Sequence, residues 1–186
     1  MSPEEFNDLS LSDLMAMLEH KDGLIRKKGR EGLQALGEPA VPPLCRALLT
    51  AKDHHVRWAA AKALGALRDP RSAPALVDAL EDRNSDVVWL AAVALENLGR
   101  DAWKPLLQAL VDRGVDSVAI RQGAHHVFSK QKDPGFDDLL DELRASLKFG
   151  ELTESGGIAA TEMLKRLRKQ EADSDTGWAN SPDDVG

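Results

Sequence analysis

The chain has 186 residues, 42% of them hydrophobic and 30% charged, and carries a net charge of −7. That apolar content suffices for one stable core, while 4% aromatics with no Tyr disfavours a fold built from strands. Cys45 stands alone, which excludes an intramolecular disulfide. The acidic start from Met1 to Ser10 lacks the pattern of a leader, and no apolar run approaches the roughly 18 residues of a membrane span, so a soluble, cytoplasmic protein is expected.

Taken in chain order, apolar residues recur at helical steps of three and four, and polar turns separate them. The pattern predicts first helices near 11–20, 41–50, 72–81, 102–112 and 136–148. Their partners are predicted near 24–36, 56–67, 87–98, 119–130 and 156–169. Pro70 stops one helix and Gly99 another. Across the units, equivalent residues are 31 positions apart: Ile25, Val56, Val87 and Val118; Leu33, Leu64 and Leu95; Leu36, Leu67 and Leu98. In the first helices the ladders are Leu14, Cys45, Leu76, Leu107 and Leu18, Leu49, Leu80, Val111, which makes Cys45 a core residue. In the fourth unit Ile120-Arg121 fits the pattern of Val56-Arg57 better than Val118 does, so its turn carries about two extra residues. A fixed period of this kind predicts an all-α solenoid of about five helical hairpins, each burying its apolar stripe on its neighbours.

The run from Asp53 to Pro70, read Asp-His-His-Val-Arg-Trp-Ala-Ala-Ala-Lys-Ala-Leu-Gly-Ala-Leu-Arg-Asp-Pro, resembles a HEAT repeat of the short bacterial kind that also occurs in phycobilin lyases. The resemblance covers about residues 11–170 and is strongest over 41–112. It implies a superhelix whose second helices line a concave side where partners bind. It also implies that Arg57, with Arg26 and Arg121 as counterparts, ties neighbouring turns by pairing with a turn carboxylate. Val88 and Gly157 break that arginine series.

With Val56 facing the core, residues 58, 62 and 65 fall near the opposite pole of their helix. The repeat then predicts an outward row of Lys27, Glu31, Gln34; Trp58, Lys62, Gly65; Trp89, Val93, Glu96; Gln122, His126, Ser129; and Ile158, Glu162, Lys165. Trp58, Trp89 and Val93 are the candidate anchors for a partner protein or peptide, with Lys62, Gln122 and His126 as a polar border. A competing reading has each indole lying over the next helix and the stem of Lys62, as a cover for the solenoid.

No catalytic constellation, cofactor motif or metal spacing emerges, and the expectation is a protein that is not an enzyme and holds no cofactor. His54-His55 and His125-His126 are each adjacent in sequence and point about 100° apart on a helix, which disfavours chelation of one metal by either pair. No His precedes a Glu, so the His-Glu iron pairs of the HEAT-like deoxyhypusine hydroxylases are missing. Asp53, Asp82, Asp86 and Asp116 sit where helix caps are needed. The mixed charges of the predicted inner row argue against nucleic acid as the ligand. Residues 171–186 contribute −5 with no Lys or Arg, and the other 170 residues sum to −2. That stretch is expected to be a disordered acidic tail, after a repeat domain at 11–170 and a short arm at 1–10; its Trp178 is either incidental to a solubilising tail, a docking motif for another protein, or an internal occupant folded back onto Trp58 and Trp89.

The function read from the sequence is a non-enzymatic protein-interaction scaffold that binds a partner on its concave face. The alternative, resting on the phycobilin-lyase resemblance alone, is bilin attachment or the chaperoning of a pigment protein or cofactor enzyme. The sequence leaves the oligomeric state open and favours a monomer.

Overall fold

The computed structural model describes residues 9–177. Its α-helices are α1 (Leu11–Leu18), α2 (Gly23–Leu36), α3 (Val41–Thr50), α4 (His54–Leu67), α5 (Ala73–Asp78), α6 (Ser85–Leu98), α7 (Trp103–Arg113), α8 (Val118–Phe128), α9 (Asp137–Leu147) and α10 (Glu154–Gly177). Among the described residues there is no strand, so the protein is all-α, as its composition predicts. α10 runs on past position 171, where the acidic stretch begins, to Gly177. Residues 178–186, with Trp178, lie outside the described residues.

Short polar side chains set the helix starts. Ser10 and Asp13 form a reciprocal capping box on α1, and Asp22, Asp53, Asn84 and Ser117 cap α2, α4, α6 and α8. Of the four acids expected as caps, only Asp53 caps its helix. Asn84 and Ser117 take that position beside Asp86 and Asp116, and Asp82 turns to Arg57 instead. α2 and α6 stop at Gly37 and Gly99, where φ is 76° and 59°, and α4 stops at Arg68 in the left-handed region at φ 53°.

α2, α4, α6 and α8 pack in succession as one layer, and α3, α5 and α7 form the other. The core lies between them and includes Leu33, Leu64, Leu76, Leu80 and Leu95, all fully buried. Three ladders need correction, and in the second helices it is Leu36, 40% exposed at the end of α2, that leaves the core. Leu49 is 50% exposed and Val111 40% exposed, while Leu48 and Leu110 take the buried slots beside them. Cys45 is likewise only half-buried, and Leu44 is the core residue. The reason is a stagger in the helix starts: the first helices begin at 11, 41, 73 and 103, while α2, α4 and α6 keep the strict period at 23, 54 and 85. A first helix shifted by one position rotates its apolar face by about 100°, so a neighbouring residue takes the inward slot. In the fourth unit Ile120 is buried and Val118 is 51% exposed, as the longer turn requires.

The last hairpin is inverted. α9 packs against α8, and α10 lies along α7 rather than α8. Arg168 Nη2 donates to Gln108 Oε1 at 2.9 Å, and Lys104 Nζ to Glu171 Oε2 at 2.6 Å. Gly156 permits the tight approach of α10 to α9, since a Cβ there would meet the Ser146 hydroxyl at 2.1 Å. This inversion removes Ile158, Glu162 and Lys165 from the row that holds Trp58, Trp89 and Gln122.

The turn arginines follow a rule more general than carboxylate pairing. Nη1 of Arg26 donates to the carbonyls of His20 and Lys21, Nη1 of Arg57 to those of Ala51 and Lys52, and Nη1 of Arg121 to those of Gly114 and Val115. Each guanidinium staples the turn that precedes its own helix, satisfying carbonyls that a helix end leaves open. Only Arg57 also takes a carboxylate, meeting Asp82 of the next unit at 2.6 and 3.0 Å. Arg121 instead reaches the next turn through Gly150 O at 2.6 Å. Arg57 and Asp82 are nearly sealed, with side chains 5% and 9% exposed. Burial pushes the Asp82 carboxyl up, but the Arg57 hydrogen bond, the Asn84 N–H and the charges of Arg57 and Arg83 outweigh it and hold the group below its ordinary value.

Candidate protein-docking surface

The outward row of the second-helix layer is built from α4, α6 and α8, and its two tryptophans are in different states. Trp58 is half-buried against the core. Lys62 Nζ stands 4.6 Å from the ring centroid, and the Arg30 guanidinium, from α2, stands 5.7 Å away. Trp89, in the equivalent slot of the next unit, is 61% exposed. The difference is written in the repeat. One period on from Lys62 is Val93, and one period on from Arg30 is Ala61, so neither of the side chains that roof Trp58 has a long counterpart beside Trp89. Trp58 is therefore covered, and Trp89 is the exposed tryptophan of the row.

Val93 and Leu90 are half-buried beside Trp89 on α6. On α8, Gln122 is exposed, and His126 Nε2 lies 2.8 Å from Glu96 Oε2. Lys130 Nζ donates to Glu96 Oε1 at 2.8 Å. The Lys130 hydrogen bond, acting against partial burial and aided by the charges of Lys130 and His126, holds the Glu96 carboxyl below its usual range. His126 thus tethers α8 to α6 and forms one edge of the surface. Trp58, Lys62, Trp89, Val93, Gln122 and His126 do share one layer, as the spacing predicts.

The histidine pairs behave differently from each other. His54 and His55 fold their rings together, with centroids 4.0 Å apart, and with Asp53 they place three ligand atoms within 4.8 Å of one another. The divergence expected of neighbouring helical residues fails here because the first turn of α4 has no preceding turn to restrict the side chains. All three residues are exposed, and Asp53 is already engaged as the cap, accepting the His55 N–H at 2.9 Å. That hydrogen bond first, then the charges of His55, His54 and Arg26, lower its carboxyl against the opposing effect of burial.

Sequence reading missed Trp103 as a core anchor. It is 1% exposed and meets Phe128 and Phe136 edge-on at centroid distances of 5.8 and 5.6 Å. The signal was available, since Trp103 begins its helix at the slot where Val41 and Ala73 begin theirs.

Residues 11–96 match the family model described as HEAT repeats, over the paired helices α1 to α6. Residues 11–96 carry HEAT repeats. HEAT repeats commonly serve as protein-interaction scaffolds and are generally non-enzymatic. The matched description names repeats and no pigment chemistry. No curated protein matches the sequence of this chain. Among the described residues, no helix is long and apolar enough to cross a membrane.

Proposed function

We propose that this protein is a non-enzymatic cytoplasmic scaffold that docks a partner protein or peptide on the outward face of its second-helix layer, with Trp89 as the anchor. Trp58, Lys62, Val93, Gln122 and His126 form the surrounding platform. The supporting observation is the 61% exposure of Trp89 on a helix held on both sides by α4 and α8. A tryptophan buries up to about 250 Å² of surface, so covering the exposed part at about 25 cal/mol per Å² contributes roughly 3–4 kcal/mol to a complex. A rigid, preordered helix is a good place for such an anchor, because docking then orders little on the scaffold side.

The test is affinity purification of partners with the full chain, followed by titration calorimetry of the recovered partner against wild type, Trp89→Ala and Trp58→Ala. Trp89→Ala is expected to keep the far-UV circular dichroism spectrum and weaken binding by about 30-fold or more, as loss of an anchor worth about 2 kcal/mol does. Unchanged affinity with Trp89→Ala refutes the proposal.

A further inference from the structure

Next to the tryptophan row, a pocket of about 300 Å³ opens between the N-terminal halves of α2 and α4. Its walls include Arg26, Lys27, Arg30, His54, His55 and Trp58, and the one acidic lining residue is Asp86. We propose that this pocket seats a carboxylate of the docked partner, so that the segment recognised is acidic, with an apolar side chain reaching Trp89. This rests on the docking reading above and adds the partner's chemistry to it.

Charge accounting carries the argument. Several surface cations have a carboxylate of their own: Arg71 meets Glu38 at 2.9 Å, Arg113 meets Glu81 at 2.7 Å, Arg166 meets Asp138 at 3.0 Å and Lys130 meets Glu96 at 2.8 Å. At the pocket the pairing is loose. Lys27 has Glu31 at 3.7 Å and Arg30 has the same carboxylate at 4.0 Å, one acid shared between two cations. The Arg30 Nε is buried without a hydrogen-bond partner. The lining thus sets three permanent cations, Arg26, Lys27 and Arg30, against the single carboxylate of Asp86. The start of α4 adds the positive end of its helix dipole. The same charges disfavour a cation as occupant. Asp53, His54 and His55 could offer ligand atoms to a metal, but Arg26, Lys27 and Arg30 line the same pocket as the two histidines.

Geometry links the pocket to the anchor. Asp86 lines the pocket, and Trp89 follows it by three residues on α6, on the same side of that helix. Neighbouring packed helices are about 8–10 Å apart, and an extended peptide rises about 3.3 Å per residue. The pocket lies between α2 and α4 and Trp89 stands on α6, about one and a half helix spacings away, so the carboxylate and the apolar side chain of the partner are about four residues apart. A nucleic-acid backbone is the weaker fit, since Glu31, Asp86 and Glu96 interrupt any continuous run of positive charge along the row.

The test pans a random-peptide phage library against the immobilised full chain. The enriched peptide is then titrated by fluorescence anisotropy against wild type, Lys27→Glu, Arg30→Gln and Trp89→Ala. The expected consensus places Asp or Glu about four positions from a large apolar residue, and Lys27→Glu and Arg30→Gln each weaken binding about tenfold. Lys27 is exposed, so its variant keeps the fold even where Arg30→Gln disturbs it. A consensus without acids, failure to enrich any peptide, or displacement of the peptide by a single-stranded DNA oligonucleotide overturns the inference. Binding lost in Trp89→Ala but retained within twofold in Lys27→Glu also overturns it, while leaving the docking reading intact. Binding retained in both variants overturns the two together.

Discussion

Asp82→Ala is the sharpest perturbation of the stack. It removes the carboxylate that meets Arg57 at 2.6 and 3.0 Å across consecutive units, and leaves a guanidinium that is 95% buried with only the Ala51 and Lys52 carbonyls as partners. Breaking a buried pair in this way costs about 3–5 kcal/mol, and the two retained carbonyl bonds put this case near the lower end, about 3 kcal/mol. For a chain of this size that lowers the melting midpoint by about 6–12 °C. Adding Arg57→Leu should recover part of the loss, because the stranded charge is then gone. Urea melts followed at 222 nm measure both variants. Acid supplies a second check. A carboxyl held below its unfolded value of about 3.9 contributes stability above that pH and loses it as pH falls through the lower folded value, so the gap between wild type and Asp82→Ala should narrow below about pH 4. A loss under about 0.5 kcal/mol, or a gap that ignores acid, refutes the reasoning.

Three further outcomes are expected from purified variants in the same melts. Trp103→Ala should cost about 3–5 kcal/mol, because it empties a site that is 1% exposed, while Trp89→Ala, 61% exposed, should change stability little. Gly29→Ala should destabilise by about 1–3 kcal/mol, since its Cβ would meet Met17 Cβ at 2.6 Å and Leu14 O at 2.9 Å. Gly157→Ala meets nothing within 4 Å and should stabilise α10 by up to about 1 kcal/mol. Ile120→Ala should cost about 2–5 kcal/mol and Val118→Ala about 0.5 kcal/mol or less, which distinguishes the register with the longer turn from a strict period.

The second helices were legible because they keep one period: Leu33, Leu64 and Leu95 are all fully buried, and α4 and α6 begin 31 residues apart. The first helices were less so, because the turns feeding α3, α5 and α7 differ, and a shift of one position moves Leu49 and Val111 to the surface. The inversion of the last hairpin was invisible to periodicity. Ala160, Leu164 and Leu167 preserve the apolar spacing of α4, and spacing says which face is buried, not which helix it meets. The row of candidate residues followed from geometry, but the distinct fates of Trp58 and Trp89 required reading what the repeat places beside each. That comparison, Lys62 against Val93 and Arg30 against Ala61, was available in the sequence. The convergence of His54 and His55 was not, since it depends on side-chain rotations in a first helical turn.

Site-specific photo-crosslinking in cells tests the docking face most directly. A benzophenone amino acid at position 89, on α6, is compared with one at position 49, an exposed residue of α3 in the opposite layer. A defined partner crosslinked from position 89 and not from position 49 is the predicted result. The same partner crosslinked from position 49 and not from position 89 contradicts it.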